Sequence, residues 1–223
     1  ANRRPRRRND RADPRTNFIK DRQFFEATGH SPVAANHLSR YNNAMTRLRF
    51  CPLIRDDYAR MRHITVAPEQ VIYSGTVKMA FESDEVGVDL HGIFEAHADT
   101  EQAVGFFKID HKFPRTYGFA RPGDLGLRAF MIDHACQRRG IGSRSMAQVG
   151  LYLRNLYPDA QALVLTVNLR NTAAIRAYIK AGIEDTGDIY SGGIAGPQHI
   201  MRLQLSQAPM AADLADKSNL PLS

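Results

Sequence analysis

Two arginines and two glycines sit in six consecutive residues, Gln137-Arg138-Arg139-Gly140-Ile141-Gly142, a combination suited to gripping phosphate. The flanks fix the reading. Ahead lies a strand-like stretch, Leu125 to Ile132; behind, Ser143 to Tyr157 places Met146, Val149, Leu153 and Leu156 on one helical face. Glycines at such a strand-to-helix turn let backbone N–H groups converge, and the helix adds the positive end of its dipole. The two common nucleotide motifs do not fit. A dinucleotide fingerprint wants a third glycine where Ser145 stands, and an acidic residue closing the next strand, which ends instead in Val167-Asn168. A P-loop needs Gly-Lys-Ser/Thr, and no such triplet occurs.

Further on, Asn171-x-x-Ala174-x-x-x-Tyr178-x-Lys180-x-Gly182 reads as a helix with an asparagine cap and a glycine stop. With both segments and the strand between them, the chain resembles the GNAT N-acetyltransferase superfamily. The first segment matches its acetyl-CoA signature, Gln/Arg-x-x-Gly-x-Gly/Ala. The second matches its Asn-x-x-Ala…Tyr-x-Lys-x-Gly-Phe helix, with Ile183 in place of Phe. The likeness covers about residues 46–205 and is strongest over 125–205.

The resemblance implies an acetyl-CoA-dependent N-acetyltransferase that needs no metal, and assigns roles for that chemistry. Backbone N–H groups around Phe130, Met131 and Ile132 would steady the oxyanion and pair with the pantetheine amides. The signature opens at Gln137, and the amides of Arg138, Arg139, Gly140, Ile141, Gly142 and Ser143 would take the pyrophosphate, with both arginines adding charge. Tyr178 would protonate the departing thiolate, as a phenol of pKa ~10 can at neutral pH; packing is its other reading. Asn171 touches the pantetheine arm or caps its helix. The general base falls on Glu95, in the region where many members place a carboxylate acting through water, with Asp110, His111 and Asp133 as rivals.

From Phe81 to Glu101 the chain holds seven acidic residues (Glu82, Asp84, Glu85, Asp89, Glu95, Asp99 and Glu101) and no Lys or Arg. Beside an acceptor cleft, such a stretch would attract small cationic amines; otherwise it is a solvated charged loop. Val66-Ala-Pro-Glu-Gln70, Arg128-x-Phe-Met-Ile-Asp133 and Gly196-Pro-Gln-His-x-Met-x-Leu203 are similar to the bacterial diamine and polyamine acetyltransferase branch, so a diamine or polyamine acceptor is expected. Peptide and aminoglycoside amines are the alternatives.

The elements that must hold these residues follow from pattern. Strands are expected at Leu48–Leu53, Leu90–His97, Gln102–Asp110, Leu125–Ile132, Ala162–Val167, Glu184–Ile189 and Gln198–Leu205. Helices are expected at Asp56–His63, from Pro68 toward Phe81, at 143–157 and from Asn171 to Ala181. Residues 111–124 read as a loop. A hairpin followed by βαβ units makes an α/β fold: a mixed, mostly antiparallel central sheet with helices on both faces.

Composition sets the outer limits. At 223 residues and 43% hydrophobic, one well-packed domain is expected over 45–207, followed by a tail over 208–223. Residues 1–44 carry +6 of the chain's net +7, with seven arginines in the first fifteen residues. This basic extension is too polar to bury its own surface, and suits either weak contact with a polyanion such as nucleic acid or simple solvation. No apolar run approaches the ~20 residues of a membrane span. Two cysteines without zinc-like spacing suggest reduced thiols and a cytoplasmic protein. A homodimer is expected from the resemblance.

Overall fold

The structure is a computed structural model describing residues 47–97 and 100–205. The expectations for 1–44 and 208–223 lie outside the described residues, as do Ala98 and Asp99. Seven strands form one sheet: β1 (Arg47–Leu53), β2 (Val88–His97), β3 (Thr100–Asp110), β4 (Leu125–Ile132), β5 (Ala162–Asn168), β6 (Glu184–Tyr190) and β7 (Gln198–Gln204), in the order β1-β2-β3-β4-β5-β7-β6. Every neighbouring pair is antiparallel except β4 and β5. The mixed, mostly antiparallel sheet expected from the sequence is therefore present.

Helices cover both faces. On one side α1 (Tyr58–Met61), α2 (Pro68–Ser74) and α3 (Val77–Glu82) enclose Met61, Ile64, Val77, Phe81, Phe94 and Phe106. On the other, α5 (Ile141–Leu156) and α6 (Thr172–Lys180) cover Ile93, Phe107, Leu127, Leu163 and Leu165. α5 buries Met146, Val149, Leu153 and Leu156, the stripe that its three- and four-residue spacing prescribes. β5 is apolar or β-branched from Ala162 to Val167 and nearly all buried, as a strand covered on both faces must be.

Two expected helices are shorter. Asp56–His63 resolves into a 3₁₀ turn at Arg55–Asp57 running into the four-residue α1. The stretch from Pro68 breaks at Gly75, whose φ of 67° ends α2, and Thr76 caps α3 by accepting from the Met79 N–H at 3.1 Å. The expected loop 111–124 contains one short helix, α4 (Phe113–Thr116). Phe113 from that helix packs so closely on β4 that a Cβ at Gly126 would meet its ring at 2.1 Å.

The pair β4–β5 carries the functional consequence. Its ladder holds only at Leu125–Leu163 and Gly126–Val164, after which the strands part. On its other side β4 is bulged: Ala129 takes a φ of 52°, and Ala129 and Phe130 together oppose Phe107 of β3. The strand is bent just where its neighbour leaves it.

Candidate active site

The parting of β4 and β5 opens a cavity of about 460 Å³. Leu127 to Phe130 line it from β4, Leu165 to Asn168 from β5, and Asn171 and Tyr178 from α6. Beyond Gly126, β4 has no β5 partner, so its backbone amides on that edge are available to an extended ligand in the manner of a neighbouring strand. Phe130 lines the cavity, while Met131 and Ile132 turn their side chains into the two cores, leaving only their backbone to act.

At the end of β4 the chain makes a 3₁₀ turn at His134–Cys136 and enters α5 through Arg138 (φ 61°) and Gly140 (φ 73°). The helix starts at Ile141, two residues ahead of the sequence reading, so Gly142 lies in its first turn. No side chain caps this end and no acidic residue occupies its first turn. The first N–H groups of α5 therefore face outward with the helix dipole behind them. A Cβ at Gly142 would make only ordinary contact, with Ile132 Cγ1 at 3.6 Å, so glycine there keeps space clear outside the protein rather than inside it.

The turn is braced from beneath. Gln137 Nε2 donates to Ile132 O at 3.0 Å and to Gln70 Oε1 at 2.9 Å, making that side chain a strut between β4 and α2. Glu95, only 1% exposed, accepts from Arg139 Nη2 at 2.7 Å and from Arg144 Nη2 at 3.3 Å. Ser143 lies on the first turn of α5, half-buried.

Tyr178 is buried, lies edge-on to Phe130 with centroids 6.3 Å apart, and donates to no described residue. Burial pushes its phenol up to about 12, so its proton is in place at any physiological pH. Asn171 both caps α6, its Oδ1 accepting from Ala174 N at 3.2 Å, and lines the cavity. Its two readings are geometrically compatible.

The family model for the acetyltransferase (GNAT) family matches residues 55–183 of this sequence. The chain belongs to that family. It is a GNAT-type N-acetyltransferase, and its sheet is the GNAT sheet. Among solved structures, the aminoglycoside acetyltransferase AAC(6')-Ib in complex with coenzyme A is 17% identical, with 71% of this chain and 95% of that one covered and a TM-score of 0.56. Spermidine N-acetyltransferase from Vibrio cholerae, in complex with CoA and spermine, is 12% identical over 71% of this chain and 95% of that one, at TM-score 0.53. The GNAT domain of S. lividans PAT is 17% identical over 71% and 90%, at 0.52. No individually curated protein matches the sequence. At these identities the likeness is one of fold.

Within this GNAT domain, each candidate for the general base has a polar partner. Glu95 is absent from the cavity lining, and its two oxygens are committed to guanidinium groups at the phosphate turn. That placement suits an anchor for arginines better than a proton acceptor. The rivals are engaged too. Asp110 accepts from Arg128 Nη1 at 3.1 Å and Lys112 N at 2.8 Å, His111 pairs with Asp89 at 2.9 Å, and Asp133 accepts from Thr65 N at 2.9 Å.

The acidic stretch also reads differently in three dimensions. Glu82 pairs with Lys78, Asp84 with Arg55, Glu85 with Lys108 and Arg128, Asp89 with His111, Glu95 with Arg139 and Arg144, and Glu101 with Arg49 and Arg60. None of these six lines the cavity, and Asp99 lies outside the described residues. Lys108 and Arg128 beside Glu85 hold its carboxyl down to about 2 although desolvation works against them. Most of the expected negative charge is paired within the domain, much of it with arginines and lysines from other elements.

Sequence reasoning missed one wall of the cavity. It includes Phe113, Tyr117 and Tyr190, in mutual contact with centroids 4.3 Å (Phe113–Tyr117) and 5.5 Å (Tyr117–Tyr190) apart. Gly192 to Ala195 of the β6–β7 loop and Ile72 and Tyr73 of α2 complete it. No local pattern joins Phe113 and Tyr117, in a stretch that reads as loop, to Tyr190 at the end of β6.

Proposed function

We propose that this chain moves the acetyl group of acetyl-CoA to a small primary amine by direct attack in the β4–β5 opening. The observation that carries the reading is the conjunction of a β4 edge without β5 partners beyond Gly126, an α5 N-terminus with no side-chain cap at one end of it, and Tyr178 lining the same cavity. The coenzyme's diphosphate is held by the first amides of α5, with Arg138 and Arg139 beside it, and its pantetheine arm lies along β4.

The amine nitrogen attacks the thioester carbonyl, and a backbone N–H near Phe130–Ile132 steadies the oxyanion. The C–S bond then breaks, and the thiolate takes the Tyr178 proton. The phenolate recovers a proton from solvent, which receives the one released by the amine. No carboxylate or imidazole belongs to the described residues that line the cavity, so the amine reacts as its free base after losing its proton to water. Glu95 acts by holding Arg139 and Arg144 at the phosphate turn.

The diamine or polyamine acceptor rests on the motif likeness at 66–70, 128–133 and 196–203, and no longer on the acidic stretch. Thiol release from acetyl-CoA, measured against amines spanning linear diamines, amino acids, aminoglycosides and peptides, tests the whole reading. Turnover with at least one small amine is expected. Failure of every amine, with no calorimetric heat from CoA, would overturn it.

A further inference from the structure

The charges around the acceptor side of the cavity select among amines. Of the described residues lining it, only Lys108 and Arg128 are charged, and both are cations. They occupy opposing positions on β3 and β4. The carboxylates that match them, Glu85 and Asp110, are not among the lining residues.

The two cations differ in what they have left to offer. Lys108 is nearly buried, and its Nζ lies 2.6 Å from Glu85 Oε1, so its charge is answered. Arg128, about one-third exposed, gives both its ion pairs from the same nitrogen: Nη1 to Glu85 Oε2 at 2.5 Å and Nη1 to Asp110 Oδ2 at 3.1 Å. Its Nε–Nη2 edge donates to no described residue. That edge is the planar fork that fits a carboxylate in bidentate fashion. A guanidinium left half-satisfied at a cavity wall is a recognition element, because burying it under a ligand without a matching acceptor leaves its donors unpaired.

We propose that the acetyl acceptor carries a carboxylate as well as its primary amine, and that the Nε–Nη2 edge of Arg128 binds that carboxylate. Arg128 sits two residues before Phe130 on β4, at most about 6–7 Å along the strand, because the bulge at Ala129 shortens the usual rise of ~3.3 Å per residue. The fork therefore stands about one small molecule's length from the backbone proposed to hold the oxyanion. The aromatic wall of Phe113, Tyr117 and Tyr190 takes the apolar body between the two ends. A linear diamine or polyamine, the acceptor class that the motif likeness suggests, would place a second ammonium against a wall whose charged lining residues are Lys108 and Arg128, so the wall favours a carboxylate-bearing amine over it. One free fork matches a single negative charge, which favours carboxylate over a phosphate dianion.

This inference rests on the acyl-transfer reading, and the experiment separates the two. The full chain is assayed by thiol release with two matched sets of amines: 4-aminobutyrate, 1,4-diaminobutane and butylamine; and L-phenylalanine and phenethylamine. In at least one set the carboxylate-bearing amine should lead by tenfold or more in kcat/KM. Arg128→Met and Arg128→Lys should shrink that lead to threefold or less, chiefly through the acceptor KM, with calorimetric affinity for acetyl-CoA held within about twofold. If carboxylate-free amines equal or exceed their partners in both sets, the proposal is wrong while acyl transfer stands. A lead that survives in Arg128→Met removes Arg128 as its cause. If no amine releases thiol, both fall.

Discussion

Tyr178 combines burial, a cavity-facing position and a hydroxyl that donates to no described residue. A core tyrosine normally finds a partner for its hydroxyl, and in the proposed mechanism that partner is the coenzyme sulfur. Tyr178→Phe should lower kcat by on the order of 10²-fold, the usual scale for a general acid, with little change in acetyl-CoA affinity. An unchanged kcat would leave Tyr178 as packing. Because burial holds the phenol near 12, loss of its proton should not cut kcat at any pH below about 10. Glu95 is predicted to behave in the opposite way. Glu95→Gln weakens the hold on Arg139 and Arg144, and a hydrogen bond to a charged group contributes roughly 1.5–3 kcal/mol. The acetyl-CoA KM should therefore rise about tenfold while kcat falls little, and Glu95→Asp should recover part of the loss. A collapse of kcat at constant KM would make Glu95 the base after all.

The turn from β4 into α5, as an element, was legible in the sequence because local pattern dictates it: a β-like run gives β4, a helical stripe gives α5, and glycines mark the bend between them. Its exact entry was less so, since a helix beginning at Ile141 has no capping side chain to announce it. Gly142 separates two explanations for that bareness. Gly142→Ala should fold and bind nearly as the parent does, because the new Cβ meets only Ile132 at 3.6 Å. Gly142→Glu should lose calorimetrically detectable CoA binding, since it sets a negative charge at the helix end where the diphosphate belongs. Retained affinity in Gly142→Glu would move the diphosphate elsewhere. The parting of β4 from β5 was not legible, because strand pairing beyond Gly126 depends on the β4 bulge opposite Phe107. The pairing of the acidic stretch was hidden because it too depends on long-range contacts. Glu85 finds Lys108 23 residues away and Glu101 finds Arg49 52 residues away, distances over which composition carries no information.

Across the whole molecule, the sheet is tied to α5 by a buried polar chain at the end far from the phosphate turn. His91, fully buried on β2 and stacked on Phe107, has Tyr152 Oη at 2.9 Å from Nδ1 and Tyr157 Oη at 3.1 Å from Nε2. Tyr157 donates to Asp89 Oδ2 at 2.9 Å, so it must accept from His91 Nε2–H, which leaves Nδ1 to accept from Tyr152. This arrangement requires a neutral ring. Burial lowers the His91 pKa from 6.5 to about 3, the carboxylate of Asp89 only partly opposing it. A histidine with a depressed folded pKa is protonated first in the unfolded chain, so its contribution is complete above pH 6.5 and is lost as pH falls from 6.5 toward 3. The slope in that window approaches, at most, about 1.4 kcal/mol per pH unit. Urea midpoints of the full chain should therefore fall steadily below pH 6.5, before most carboxylates titrate. His91→Gln keeps a hydrogen-bonding side chain but cannot titrate, and should flatten the dependence between pH 6.5 and 5 while lowering stability at pH 8. Equal slopes in the two proteins would show that α5 is held to the sheet without reference to the charge state of this ring.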